Sequence, residues 1–193
     1  LETGVINTLL FNSTRLIGVG LAGVLWSQIT LGAVEITPFS ATYNLARAGV
    51  SIGKVLRTLS RRDDGTYVYE SQSHSSGVLA VFRKDRIVER SRWQVTGDTV
   101  RSIEYLYERT GGSKTRQVRL EFDWQSMVVT NNVDGDPWKM PLSPGAMDKL
   151  LYQLAVMRDL RAGKRKLVYN VADGGKLKSY EFEIDGEETI ETQ

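Results

Sequence analysis

The sequence predicts a mainly β protein of the α+β class, in which a curved antiparallel sheet forms a half-barrel around one amphipathic α-helix. After Phe39, apolar and polar residues alternate with a period of two, which is typical of antiparallel strands with one buried and one solvated face. Turn sequences such as "RDDGT" (62–66) and "ADGGK" (172–176) separate these runs at short spacing, and such glycines supply the positive φ that hairpins need. A single later segment has helical spacing instead.

The first element in chain order is an uncharged apolar block at residues 16–26. A membrane span needs about 20 apolar residues, so this block is short for one, and its three glycines disfavour a helix in water. The preceding Arg15 and the small residues that lead to Ala33 match a secretory signal peptide. We therefore expect residues 1–33 to be a leader that is cleaved near Ala33. A retained membrane anchor and a helix of the domain are the alternatives.

Residues 34–193 are expected to form one domain, whose strands follow one another along the chain. The cleanest alternation occurs at residues 39–45, 93–95, 103–107, 118–124 and 180–184. Residues 78–82 ("VLAVF") are apolar on both faces and predict a strand that is covered on both sides. The short turns predict a meander in which sequential strands pair. A parallel pair would need a crossover helix, and the sequence indicates none.

The helical segment is "SPGAMDKLLYQLAVMRDLRAGK" (143–164), and its apolar stripe comprises Met147, Leu150, Leu151, Leu154, Met157 and Leu160. Ser143 is the expected cap, Pro144 suits the first turn, and Gly163 suits the end. Leu151 and Leu154 lie at the centre of the stripe and should be buried. Because one helix must bury its stripe against the strands, the sheet is expected to curl around it.

The composition argues against several classes of chemistry. The 193 residues include no cysteine and one histidine, which excludes disulfides, thiolate nucleophiles and metal sites built from several His or Cys residues. The net charge of +2 gives no indication of a nucleic-acid partner. His74 has serine neighbours, but adjacent residues of a strand point to opposite faces. We therefore expect no catalytic residue, no metal and no cofactor, and we expect Asp123 to pair with an Arg or cap a turn at a strand end.

The inward-facing aromatic residues are first of all expected to form the core, with partial lining of an apolar ligand pocket as the alternative. Trp124 is the leading candidate, because a tryptophan at a strand end can bury its ring and find a hydrogen-bond acceptor at the rim of the barrel. The candidate ligand-binding residues are Trp124, Trp93, Phe122, Tyr105, Tyr107 and Tyr43.

The chain resembles the DUF3108 family of bacterial envelope proteins of unassigned function. The matching segments are "PFSATYNLARAGVSIGKVLRTL" (38–59), "DGTYVYES" (64–71), "FDW" (122–124), "DKLLYQLAVMRDLRAG" (148–163) and "YNVADGGKLKSYEFEIDGEETIET" (169–192). The resemblance implies export to the periplasm and a kinship with the half-barrels of the LolA, LolB and RseB type. The family pattern continues past "ETIETQ" with two more strands, so the resemblance also implies a domain truncated at its C-terminus.

These expectations converge on a non-catalytic periplasmic protein that binds a lipid or a lipoprotein acyl chain in a half-barrel. An envelope protein-interaction or structural module with a filled core is the alternative, and its partner would be another envelope protein. Under either interpretation the protein has no nucleic-acid partner and touches the membrane only through its leader before cleavage.

Overall fold

The computed structural model describes residues 37–77, 85–97, 99–112 and 114–186. All of these residues belong to the compact unit Val34–Gln193. The predicted leader at residues 1–33, the predicted strand at residues 78–82 and the last residues of the chain lie outside the described residues.

Eight strands form one antiparallel sheet in chain order, and each strand pairs with the next. They are β1 (Phe39–Arg47), β2 (Val50–Arg61), β3 (Tyr67–Ser75), β4 (Arg86–Thr96), β5 (Thr99–Thr110), β6 (Arg116–Asp123), β7 (Val128–Val133) and β8 (Asp136–Pro141). Within the described chain, β1 and β8 are the two edges of this sheet, which stays open. The predicted meander and half-barrel are confirmed.

The register of the large sheet places one row of side chains across all eight strands, on the face that the core covers. The row runs through Phe39, Leu59, Tyr69, Ser91, Tyr105, Leu120, Asn131 and Trp138. Most of these side chains are buried, and they form the centre of the hydrophobic core. The alternation in the sequence therefore has the expected physical cause, because every second residue of each strand reaches this face.

A β-bulge inverts this alternation at one place. Arg92 pairs with Glu104 and Trp93 pairs with Ser102, so Ile103 has no partner on β4. The extra residue moves Ser102 onto the covered face, where it is fully buried, whereas Ile103 is only partly buried. The alternation at residues 103–107 predicts that Ile103 faces inward with Tyr105 and Tyr107. That prediction is wrong, because a shift of one residue exchanges the two faces of a strand.

A second, three-stranded sheet contains β9 (Met147–Asp148), β10 (Lys166–Asp173) and β11 (Lys176–Glu183), in the order β11-β10-β9. β9 and β10 are parallel, and the helix α1 (Leu151–Arg161) connects them. The expectation that the chain lacks a parallel pair and a crossover helix is therefore wrong. The helix that the sequence predicted is itself the crossover.

The helix begins later than the sequence predicted. Gly145 has a φ of 73°, so Pro144 and Gly145 form a turn, and Ser143 Oγ has no hydrogen-bond partner among the described residues. Asp148 takes the capping role, because its Oδ1 accepts the backbone N–H groups of Leu150 and Leu151 at 2.8 Å. The predicted end is confirmed: Gly163 has a φ of 76° and its N–H donates to the carbonyl of Leu160.

The apolar stripe of α1 is buried only in its first half. Leu150 and Leu151 are at most 1% exposed, and Leu154 is partly buried against the core. Met157 and Leu160 are 42% and 40% exposed, so their predicted burial is wrong. Met157 borders an open cavity instead of the core.

The helix contacts both sheets. On one side, Arg57 of β2 donates a hydrogen bond to Gln153 Oε1 at 2.6 Å. On the other, Tyr152 meets the ring of Tyr180 edge-on at 5.2 Å and stacks with Phe182 at 6.3 Å.

Among the helices in the described part of the chain, none combines the length and the apolar character of a membrane span.

Candidate functional site

An apolar cavity of about 490 Å³ lies between α1 and the large sheet. We call it the apolar cavity. Side chains of β1, β2, β4, β5 and α1 form its walls, and it is lined by Thr37, Pro38, Phe39, Leu59, Trp93, Val100, Leu151, Leu154, Ala155, Met157, Arg158 and Arg161. All but three of these residues, Thr37, Arg158 and Arg161, are apolar.

The lining of the apolar cavity includes a buried part and an exposed part. Trp93 is 1% exposed and stacks on Tyr67 with ring centroids 4.5 Å apart, while its indole N–H has no acceptor among the described residues. Met157 and Arg161, which also line the cavity, are exposed. Arg158 forms an ion pair with Asp159 at 3.0 Å. Arg161 is the other cation of the lining, and none of the ion pairs found in the described chain includes it.

A second cavity, of about 530 Å³, lies between β5–β8 and the hairpin turn that joins β10 to β11. We call it the polar cavity. Its lining comprises Tyr105, Tyr107, Arg109, Arg116, Val118, Leu120, Val133, Asp136, Trp138, Lys149, Ala172, Asp173, Gly174 and Gly175. The two cavities share no lining residue, and the polar cavity carries five charged side chains.

A buried polar cluster of Asp148, Ser91 and Ser102 lies outside both cavities. Asp148 is fully buried, and its Oδ2 accepts hydrogen bonds from Ser91 Oγ at 2.6 Å and Ser102 Oγ at 2.7 Å. Ser102 Oγ in turn accepts the backbone N–H of Asp148. Burial raises the pKa of the Asp148 carboxyl, and its hydrogen bonds oppose that shift. This cluster fastens the start of α1 to the centre of the large sheet.

A second carboxylate fastens the end of the helix. Asp159 Oδ2 accepts the hydroxyl of Tyr169 at 2.9 Å, and its Oδ1 lies 3.1 Å from Lys164 Nζ. Burial alone would raise the pKa of Asp159, but hydrogen bonds from Arg158, Tyr169 and Lys164 outweigh burial and lower it. Both ends of α1 are thus held by carboxylates with defined partners.

Of the six predicted ligand-binding residues, three line a cavity. Trp93 lines the apolar cavity, whereas Tyr105 and Tyr107 line the polar one. Tyr105 is 2% exposed and donates a hydrogen bond to Glu89 Oε1 at 2.6 Å. Burial and the charge of Glu89 raise the pKa of this phenol far above its usual range, so Tyr105 stays neutral at any ordinary pH.

Trp124, Phe122 and Tyr43 line neither cavity. Trp124 follows β6 in a turn, and its N–H donates to the carbonyl of Ser102 at 2.7 Å, as predicted for a tryptophan at the rim. Phe122 is 8% exposed, belongs to the core and stacks with Trp124.

Tyr43 is 49% exposed, so its predicted place in the core is wrong. Tyr43 pairs with Val55 of β2, which lies two residues before Arg57. Arg57 is the residue whose side chain donates a hydrogen bond to the helix. Tyr43 therefore lies further along the sheet than that helix contact.

Asp123 and His74 lie near the ends of strands, away from both cavities. Asp123 Oδ1 accepts the backbone N–H groups of Gln125 and Ser126, which confirms its predicted role as the cap of a turn. His74 is exposed near the end of β3. In the described part of the chain, no group of three or more His, Cys, Asp or Glu side chains is placed to hold a metal ion.

Sequence reasoning missed Arg109, Arg116 and Asp148. A signal for the two arginines exists in the alternation itself, since Arg109 follows Tyr105 and Tyr107 at a period of two, and Arg116 precedes Val118 in the same way. Charged residues at inward positions of two adjacent strands indicate a polar site. For Asp148 the signal is an acidic residue just before the helix. Its side chain can accept the backbone N–H groups of Leu150 and Leu151, which lie two and three residues later.

Comparison with protein-family models gives a match over residues 38–193 to DUF3108, described as a protein of unknown function. Comparison with curated proteins and with solved structures gives no match. The family match begins just before β1 and takes in both sheets, α1 and every lining residue of the two cavities except Thr37. The chain therefore belongs to the DUF3108 family.

Proposed function

We propose that this protein is a non-catalytic periplasmic protein that binds a lipid or a lipoprotein acyl chain in the apolar cavity. The observation that carries the proposal is the lining of that cavity, which joins apolar side chains of α1 to apolar side chains of four strands. The curved open sheet is consistent with a cup that holds a ligand against the helix.

The size and chemistry of the cavity support an acyl ligand. A volume of about 490 Å³ lies within the range of about 300–1,000 Å³ that is usual for ligand sites. Burial of apolar surface stabilises such a complex by about 25 cal/mol per Å². The exposed Met157 is flexible enough to adapt to a chain, and the exposed Arg161 can pair with an acidic group at the end of a ligand.

The position of the Ser–Asp cluster supports a non-catalytic role. Ser91 and Ser102 contact Asp148 as a nucleophile would contact a base, but each of the three residues has no exposed surface and lines neither cavity. A substrate in either cavity would not reach these hydroxyl groups. Their hydrogen bonds serve the attachment of α1.

A titration with a lysophospholipid, followed by tryptophan fluorescence, tests the proposal. Trp93 lines the apolar cavity and Trp124 does not, so Trp93→Phe should remove most of the fluorescence change, whereas Trp124→Phe should preserve it. Met157→Asp places a charge in the lining and should weaken binding at least tenfold. Leu160→Asp is the matched control, because Leu160 is equally exposed on the same helix and lies outside the lining.

The proposal fails if the wild-type fluorescence does not respond to a saturating acyl ligand, or if Met157→Asp and Leu160→Asp bind equally well. Because both positions are exposed, neither variant should lose the fold. A circular-dichroism spectrum of each variant checks this.

An interaction module is the second candidate, and the edge strand β1 favours it. Tyr43 and Leu45 are 49% and 43% exposed on this strand, which is the first strand of the large sheet. An exposed edge with apolar side chains can accept a further strand from a partner. Tyr43→Lys should then reduce in-cell crosslinking to envelope proteins, whereas it should leave the acyl titration unchanged if the first proposal is correct.

A further inference from the structure

The polar cavity contains two arginines that face each other across adjacent strands. Arg109 of β5 pairs directly with Arg116 of β6, and both side chains line the cavity. Like charges directly opposite each other destabilise a sheet, unless an anion offsets them. We propose that the polar cavity is a second binding site, which takes a small ligand with a carboxylate or phosphate group attached to a sugar ring.

The carboxylates of the described chain only partly offset these charges. Arg109 pairs with Asp85 at 3.1 Å, but Arg109 Nε is buried without an acceptor among the described residues. Arg116 is exposed, and none of the ion pairs found in the described residues includes it. Only one of the two guanidinium groups therefore has a carboxylate partner among the described residues. Guanidinium groups bind planar carboxylates and phosphates with two parallel hydrogen bonds, which makes this pair suited to an anion.

The third cation of the cavity is already engaged. Lys149 Nζ lies 3.3 Å from Asp173 Oδ1, and the other oxygen of Asp173 accepts Lys178 Nζ and the Tyr180 hydroxyl. Burial alone would raise the pKa of Asp173, but these partners outweigh burial and lower it. Asp173 thus stays ionised beside Lys149, whereas no ion pair found in the described residues includes Arg116. The anion of a ligand should therefore go to the arginines.

Another part of the lining suits a ring. Trp138 is 37% exposed, and the hairpin turn of the small sheet packs against its indole. A side chain at Gly175 would clash with Trp138, so the glycine permits this close approach. Aromatic faces in a ligand site accommodate the flat, less polar face of a ring.

Asp136 and Tyr107 provide polar groups that suit hydroxyls. Both line the cavity, and in the register of the large sheet they lie on the same row, with Val118 and Val133 between them. A carboxylate accepts hydrogen bonds from hydroxyl groups and a phenol can donate or accept them. Asp136 would repel a ligand of high negative charge. The combination favours a sugar that carries one acidic group, such as a sugar acid or a sugar monophosphate.

Isothermal titration calorimetry of the purified protein at low ionic strength tests this site, with glucuronate, glucose 1-phosphate, glucose and inorganic phosphate as probes. We expect both sugar anions to bind at least tenfold more tightly than glucose or phosphate alone. Arg116→Gln should weaken their binding at least tenfold, since it removes a charge-assisted contact. Arg119→Gln is the matched control: Arg119 is an exposed arginine of the same strand outside the lining, where it pairs with Glu104.

Absence of heat with both sugar anions at millimolar concentration would overturn the proposal. Equal affinities of the Arg116→Gln and Arg119→Gln variants would also overturn it. Phosphate that binds as tightly as glucose 1-phosphate would overturn the role of the ring. A Trp138→Ala variant tests that role directly and should weaken the two sugar anions more than phosphate. The acyl titration of the apolar cavity should stay unchanged in all of these variants, because the two linings are separate.

Discussion

Asp148 shows how one residue connects three parts of the structure. Its Oδ1 caps the start of α1, its Oδ2 accepts two serine hydroxyls of the large sheet, and its backbone belongs to the parallel strand β9. A buried carboxylate is costly unless hydrogen bonds satisfy it, and here four of them do. The serines are the reason that this acid can lie inside an apolar core.

The pH dependence of stability should report the burial of Asp148. Its pKa in the folded state is raised above the ordinary value of 3.8, so the folded protein holds this proton more firmly than the unfolded chain does. The associated contribution to the free energy of unfolding is fully present below pH 3.8 and is lost as the pH rises through the raised pKa. Urea unfolding of the wild type and Asp148→Asn should therefore give a difference that falls with increasing pH.

Asp123→Asn is the control of opposite sign. Hydrogen bonds from Ser126 and Gln125 lower the pKa of Asp123, so its contribution is present above pH 3.8 and is lost as the pH falls. The difference between the wild type and this variant should rise with pH. The same slope for both variants would contradict the assignment of Asp148.

At the scale of the element, α1 was predicted more accurately at its end than at its start. Gly163 ends the helix as the sequence indicated, because only a residue that tolerates a φ of 76° suits that position. The pair Ser143 and Pro144 suits a turn as well as a helix start, and the parallel pairing of β9 with β10 decides between them. That pairing joins distant parts of the chain, so a local pattern does not reveal it.

Substitutions along α1 should separate its buried half from its exposed half. Leu151→Ala should lower the free energy of unfolding by about 2–5 kcal/mol, because Leu151 is 1% exposed in the core. Leu160→Ala should change it by less than about 0.5 kcal/mol, because Leu160 is 40% exposed. Urea unfolding measures both, and equal losses would mean that the helix does not pack as described.

The hairpin between β10 and β11 offers a second test at this scale. Gly174 and Gly175 both have positive φ, but only at Gly175 would a Cβ clash with Trp138. Gly174→Ala should cost about 1 kcal/mol through backbone strain alone. Gly175→Ala should cost more than that and should change the emission of Trp138. Equal costs and an unchanged emission would place the turn away from the indole.

At the scale of the whole molecule, the alternation of the sequence was sufficient to predict the large sheet, its order and its curvature around a helix. It did not predict the small sheet as a separate body, because β10 and β11 alternate in the same way as the other strands. The bulge beside Ile103 and the cation pair of Arg109 and Arg116 depend on the register between strands, which a sequence pattern does not contain. Of the six residues that the sequence proposes for a ligand site, Trp93 lines the apolar cavity, and Tyr105 and Tyr107 line the polar cavity.

Export is a prediction for the entire chain. Expressed in a Gram-negative host with the predicted leader at residues 1–33 intact, the protein should appear in the periplasmic fraction, with a mass that corresponds to cleavage near Ala33. The measurement is intact mass spectrometry of that fraction. A cytosolic protein that retains its leader would contradict the proposed location.

Native mass spectrometry of the protein purified from that fraction tests the central claim, the binding of an acyl ligand in the apolar cavity, most directly. We predict a species heavier than the polypeptide by the mass of one lipid, which denaturation releases and organic extraction identifies. The Met157→Asp variant should carry less of it, and the Leu160→Asp variant should carry as much as the wild type. A wild-type spectrum that contains only the mass of the polypeptide would contradict the claim.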